Sequence, residues 1–452
     1  MKLSVLRLRA PLIAIRSMHA AGAFVATAGF MGLLASAAHA ASDTPLGPPL
    51  TNGWTADVVN NPAFSDDFDG TAVDTTKWNY RTDQWKAQLN SVQTPANVSE
   101  ANGNMVVSLL KQDTPGVVGA NGAIITQHYT GGGLVSKQRF RYGYYETSIK
   151  INSTPGWHTS FWLQEGDGAN TFTTARRTEI DVFEINSGSL TTLQNNLFKW
   201  YPPFSGSGET ETTTNQYPYS GFATGGAYAG SDFSKAYHTY GVDWEENSIT
   251  FYVDGNPVAQ PYLYVNGTKT ASSGPFSYLP TNDTHDPINI WLTDVASGSS
   301  LPTASSDQVF FDYVRYWRKD YYVDYNDAGS GYAEVAGTWS TSSLPGWTID
   351  YKSRYGTCNV AGNIASWTPN IQNAGNYDVY YYNIVNANSD SNMALTVAGQ
   401  TTMVNGTTGT NGWVQLNTAP IAVPVGTATS VTMTSSGSGC ARAENVKFVR
   451  VN

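Results

Sequence analysis

The residues best equipped for chemistry lie in one short stretch, Arg176-Arg177-Thr178-Glu179-Ile180-Asp181-Val182-Phe183-Glu184. Its three carboxylates alternate with Ile, Val and Phe, residue types that favour β-strands. Successive side chains of a strand point to opposite faces, so Glu179 and Asp181 share one face while Ile180 and Val182 share the other. Strict alternation sends Glu184 to the wrong side. A one-residue β-bulge near Val182–Phe183 brings it back, and bulges are common beside active sites. The expected result is a row of three acids on the concave face of a sheet, with apolar residues beneath. Like charges this close are unfavourable unless the site uses them. Two carboxylates about 5–5.5 Å apart can open a glycosidic bond with retention, one as nucleophile and the other as acid and then base. A third acid between them raises the pKa of a neighbour, leaving one Glu protonated and the other ionised. The plain alternative is a solvent-facing strand with ordinary surface acids.

The rest of the chain has to hold that strand. At 452 residues two domains are expected. Aromatics at 13%, charged residues at only 13%, 43 Gly and 27 Tyr are the composition of an all-β exported protein rather than a helical or disordered one. A net charge of −10 argues against a nucleic-acid partner and against a role on membrane surfaces. Residues 1–40 read as a signal peptide: Lys2, Arg7, Arg9 and Arg16 are basic, Ala20 to Leu34 is apolar, and Ala38-His39-Ala40 precedes a cut near Ala40. Secretion to the periplasm or medium follows. No later segment is apolar for long enough to span a bilayer. Cys358 and Cys440 are the two cysteines. In an exported chain the pair is read as a disulfide, closing a loop of about 80 residues worth about 4 kcal/mol in the chain-entropy picture. Two buried free thiols are the alternative. No spacing resembles a zinc or redox motif.

Glu179-Ile180-Asp181-Val182-Phe183-Glu184 resembles the bulged E-x-D-x-x-E signature of glycoside hydrolase family 16, the form of its laminarinase-, agarase- and carrageenase-like members. The resemblance implies Glu179 as nucleophile, Asp181 as its assistant and Glu184 as acid/base. Further stretches are similar to that family in the same order, from Asp66-Asp67-Phe68-Asp69-Gly70 through Gly131 to Glu146 and His238 to Gly255, ending at Phe310 to Trp317. The implied architecture is all-β, a concanavalin-like jelly-roll sandwich with a concave catalytic cleft over residues 41–319. In relatives the Asp of the closing strand often binds a structural calcium with help from the opening strand, and Asp312 and Asp67 match those positions. Calcium wants six or more oxygens, so two distant acids alone do not define a site. No cofactor is expected for catalysis.

In Trp157-His158-Thr159-Ser160-Phe161-Trp162-Leu163 the family carries cleft tryptophans, and a Trp face stacks well on a sugar ring. Trp157 and Trp162 are therefore the leading sugar-binding aromatics, with a core role the alternative for Trp162. Trp200 sits on the next expected cleft strand, Asn195 to Trp200, which lacks the His that many relatives carry near Phe198. Arg141, Arg176 and Arg177, with Arg139 as the weaker case, could flank the cleft and hold a sulfate, because guanidinium presents paired donors. The alternative is sheet-edge charge.

Residues 320–452 carry no acid cluster. Segments such as Tyr332 to Trp339, Ala374 to Tyr380 and Gly412 to Leu416 read as a second, smaller β-sandwich. Their order resembles the C-terminal accessory domain of golvesin and xanthan-lyase-like proteins, with glycan binding or a spacer role as the two readings. No Ser/Thr/Pro-rich linker intervenes, so the domains should pack together. The expected function is a secreted, monomeric, retaining endo-β-glycanase acting on a polysaccharide, leaning to agar, porphyran or another galactan. A laminarinase-like β-1,3-glucanase, a non-catalytic glycan-binding protein and a polysaccharide lyase are the competing readings.

Overall fold

The computed structural model describes residues 45–451, apart from 83–89, 120–121, 170–177, 186–187, 202–211, 220–231, 247, 258–261, 266–267, 272–284, 297–299, 328 and 349–351. Side chains are not described for 196–201, 212–219, 262–265 and 268–271. Residues 1–40, read from sequence as a signal peptide, thus lie outside the described residues, and among these no helix is long and apolar enough to cross a membrane.

Among the described residues the N-terminal half is built on one 16-stranded sheet folded over on itself. Its concave layer runs from Thr212–Tyr219 through Leu193–Tyr201, Thr178–Ile185, Trp157–Gln164 and Asn289–Ala296 to Tyr129–Ser136. From there it continues through Met105–Leu110, Ser306–Trp317, Gly143–Lys150 and His238–Trp244 to Ile249–Val253. The opening strand Phe64–Asp66 pairs with the closing strand Ser306–Trp317 in antiparallel register. At the hinge between layers, a Cβ on Gly131 or Gly133 would stand 2.4 Å from the carbonyl oxygens of Asp294 or Leu292. Only glycine lets the two strands approach so closely.

The two layers close over one apolar core. Period-two alternation on Trp157–Gln164 turns Trp157, Phe161 and Leu163 into it, where they join Ile180, Val182, Phe183 and Ile185 of the neighbouring strand. Tyr145, Ile149, Tyr240, Val242, Phe251, Val309, Phe311 and Val314 meet them from the other layer. Full burial of each large aliphatic or Phe side chain contributes about 1.5–3 kcal/mol, which fixes the strand's facing and hence where its polar residues go.

The C-terminal half has its own core, including Trp367, Tyr377, Val379, Tyr381, Leu395, Met433 and Phe448. One five-stranded sheet contains Tyr321–Val323, Val446–Val451, Gly375–Asn383 and Gly412–Gln415; a second runs from Tyr332–Ala336 to Gln400–Val404. Cys358 and Cys440 form a disulfide across 82 positions.

The halves pack directly on each other within one compact unit, residues 41–452. Trp347 of the C-terminal half is 2% exposed and belongs to the core of the N-terminal half. Its indole stacks on His285 (4.1 Å, 15°) and Tyr322 (5.3 Å, 2°). Tyr142, at φ 49°, turns its ring edge-on to Trp244 and Trp347. Glu246 ties the seam by accepting from Trp413 Nε1 at 2.7 Å and Lys447 Nζ at 2.5 Å.

Candidate active site

The strand Thr178–Ile185 lies between Trp157–Gln164 and Leu193–Tyr201. Glu179 pairs with Gln164, Asp181 with Trp162 and Glu184 with Ser160, while the register slips between Phe161 and Trp162. Gln164, Trp162 and Ser160 alternate along one strand and so share a face. Their partners Glu179, Asp181 and Glu184 therefore share it too. Val182 is the extra residue, and it stays in the core at 1% exposure. The expected bulge is present at the expected place. Asn195 on the outer neighbour donates its side-chain Nδ2 to the Val182 carbonyl at 2.5 Å, so the oxygen displaced by the bulge keeps a buried partner.

Each acid has its own surroundings. Glu184 is part-buried, and His158 Nε2 stands 2.9 Å from its Oε1. Burial disfavours the imidazolium, but the charge and hydrogen bond of Glu184, with Asp294 and the Ile185 backbone, together outweigh it and hold His158 above its ordinary value. Glu179 accepts a hydrogen bond from Gln164 Nε2. Asp181 is buried between them at 1% exposure. Beneath the cleft strand, burial pushes Asp294 up to about 8, against the pull of a 2.5 Å hydrogen bond from Thr159 Oγ1.

Beside the acids lies Trp162, the partly exposed indole of a pair whose other member, Trp291, is fully buried beneath it. Trp162 stacks on Trp291 at 4.4 Å and 30°, and its Nε1 donates to Thr293 Oγ1 at 3.0 Å. Trp291 Nε1 donates to the Gln164 carbonyl at 3.0 Å. The Arg81 guanidinium lies 5.6 Å from both indole centroids. His158, Gln164, Arg81 and Thr293 were not singled out from sequence. His158 and Gln164 could have been, since both lie an even number of residues from Trp162; nothing local marks Arg81.

Several sequence expectations need correction. Trp157 is 1% exposed and packs edge-on to Tyr129 in the core; five positions from Trp162, it falls on the opposite face and offers no sugar platform. Arg141 is not at the cleft. It is buried at the domain seam, with Nη1 2.7 Å from Asp327 and the guanidinium 5.3 Å from the Trp347 ring. Arg139 pairs with Glu165 at 2.6 Å. Arg176 and Arg177 lie outside the described residues. Trp200 is on the expected neighbouring strand, opposite Thr213, but its side chain is outside the described set. Of the two acids expected at a calcium site, Asp67 accepts from Arg315, and Asp312 is buried at a register shift in the closing strand. Among the described residues no group of three or more His, Cys, Asp or Glu could hold a metal ion.

The sequence matches the family model described as "Beta-porphyranase A-D, GH16 domain" over residues 58–319, more than half of the chain, and "Golvesin C-terminal domain" over 322–450. It is 26% identical to beta-porphyranase D of Zobellia galactanivorans over 63% of this chain and 65% of that protein. It is 27% identical to a beta-glucanase of Acetivibrio thermocellus over 60% and 66%, and 27% identical to kappa-carrageenase of Pseudoalteromonas carrageenovora over 66% and 73%. The chain thus spans just under two thirds of the length of the first two of these relatives. Among solved structures, the laminarinase catalytic domain of Thermotoga maritima aligns over 57% of this chain and 97% of its own, at 19% identity and a TM-score of 0.41.

Proposed function

We propose, for a chain that belongs to glycoside hydrolase family 16 through its β-porphyranase-type domain, that it is an exported, retaining endo-hydrolase of a sulfated galactan of the porphyran class. The observation that carries the reading is the bulged register, with Glu179, Asp181 and Glu184 on one face beside Trp162. In the first step a Glu179 carboxylate oxygen attacks the anomeric carbon. The bond to the leaving sugar breaks as Glu184 gives its proton to the departing oxygen. In the second, Glu184 removes a proton from water, the water oxygen attacks the same carbon, and Glu179 is released; two inversions give retention. Gln164 orients the nucleophile, and Asp181 stands between the two Glu residues. His158 faces Glu184 and can take up or return a proton as the acid changes state. No cofactor takes part.

The sulfated substrate is supported by the porphyranases and the carrageenase among the relatives; Arg81, 7% exposed, is a cation beside Trp162. Guanidinium matches the oxygens of a sulfate ester, while an indole face takes the apolar side of the ring. The stacked indoles favour, as second reading, a neutral β-1,3-glucan, the linkage in the name of the 27% identical glucan endo-1,3-beta-glucosidase A1 of Niallia circulans. We further propose that the mature enzyme begins near Ala41, acts as a monomer, and uses its C-terminal domain to keep the cleft on the polymer.

The test is a reducing-end assay of the mature chain on porphyran, agarose, carrageenans, laminarin and mixed-linkage glucan, with products sized. Short oligomers from porphyran and none from laminarin are expected. Cleavage of laminarin alone would transfer the assignment to the glucanase reading.

A further inference from the structure

Where the two domains meet, the structure holds a second cavity of about 470 Å³, lined by residues of both. That is within the size range of ligand sites, roughly 300–1,000 Å³. Four cations and two carboxylates line it, in a protein whose net charge is −10. The carboxylates are already engaged: Asp327 with Arg141 at 2.7 Å, and Asp320 with Lys319 at 2.8 Å. Lys137 and Arg318 have no carboxylate partner among the described residues. The Arg318 guanidinium lies 4.7 Å from the Tyr321 ring centroid and donates Nη2 to the Asn370 carbonyl at 3.2 Å. Its Nε is buried with no acceptor among the described residues. Arg139, 40% exposed, adds a third cation at the wall.

We propose that this seam is a non-catalytic binding site for a sulfate-ester-bearing saccharide unit, held by Lys137 and Arg318. Guanidinium and ammonium groups bind the ester oxygens, and the tyrosines of the wall lie against the sugar. The site gives the C-terminal domain a function: one wall of the pocket, Tyr321, Tyr322 and Asn370, comes from it. It rests on the sulfated-galactan reading only for the identity of the saccharide.

The experiment is calorimetric titration of the full mature chain carrying Glu179→Gln, so that ligand is bound and not consumed. The ligands are porphyran oligosaccharides, the same oligosaccharides desulfated, and inorganic sulfate. Two binding events are expected with the sulfated ligand. The weaker should fall at least tenfold in Lys137→Glu, a surface change that does not threaten folding, and in Arg318→Ala. In the active background both variants should leave turnover of short oligosaccharides unchanged and lower the rate on dilute polymer. Unaltered binding in both variants, equal affinity for desulfated ligand, or full affinity for sulfate alone would each overturn the proposal. If the wild type fails to cleave porphyran while the Lys137-dependent event persists, the catalytic reading falls and the pocket stands. The reverse pattern removes the pocket alone.

Discussion

His158 Nε2 and Glu184 Oε1 are 2.9 Å apart, a diagonal contact across two antiparallel strands in which Glu184 pairs with Ser160. Side chains two positions from a cross-strand pair lie on the same face and within reach, so the contact exists only because the bulge brings Glu184 to that face.

The first prediction is a pH dependence. Burial opposes the His158 charge, but Glu184, with Asp294 and the Ile185 backbone, lifts its pKa above the ordinary 6.5. A group that binds its proton more tightly when folded stabilises the fold fully below its unfolded pKa, and loses that contribution as pH rises through the folded one. The stability difference between wild type and His158→Ala should therefore be larger at pH 5 than at pH 9. His158→Gln, which cannot titrate, should shift the alkaline limb of kcat/KM and lower kcat by at least tenfold, equivalent to about 1.4 kcal/mol. An unchanged profile would assign His158 a packing role.

Glu179→Gln and Glu184→Gln should each leave a folded protein whose kcat is down on the order of a thousandfold or more. Azide separates their roles. With an activated aryl glycoside it should rescue Glu184→Ala to a glycosyl azide of retained configuration, and Glu179→Ala to an inverted one. If the two variants gave the same anomer, the division of labour would be wrong.

Asn195→Ala removes the donor that caps the Val182 carbonyl. Leaving a buried carbonyl unsatisfied costs about 1–3 kcal/mol, and kcat should drop with it because the bulge is what aims Glu184. Thermal unfolding and turnover would be measured together. A stability loss without a rate loss would mean that the ladder alone fixes the bulge.

Arg141 is a structural residue in this geometry. Removing it leaves Asp324 and Asp327 without the cation that faces them in the seam, and breaking a buried pair costs about 3–5 kcal/mol. Arg141→Ala should lower Tm markedly, yet leave kcat of the folded enzyme within a factor of two, about 0.4 kcal/mol. A selective loss on sulfated substrate, with Tm unchanged, would return Arg141 to substrate binding.

Reduction of Cys358–Cys440, whose loop spans 82 positions, should destabilise the C-terminal half by about 4 kcal/mol in the chain-entropy picture. Urea unfolding with and without reductant checks it; coincident curves would show that the unfolded chain gains nothing from release of the loop.

Alternation made the three acids, their common face and the need for a bulge legible from Glu179 to Glu184, because the direction of each side chain along a strand follows from backbone geometry alone. The same parity already separated Trp157 from Trp162, although the likeness of both to cleft tryptophans hid it. Other assignments depended on distant partners. Arg141 looked like a cleft cation until Asp327, 186 positions away, and Trp347 enclosed it. Arg81 reached the indoles through the pairing of Trp78–Tyr80 with Tyr129–Ser136, and of that strand with Asn289–Ala296. Covalent geometry acts within a strand and repeats every two residues. Strand order and domain contact are chosen by which apolar faces can be buried together, a choice made by the whole chain.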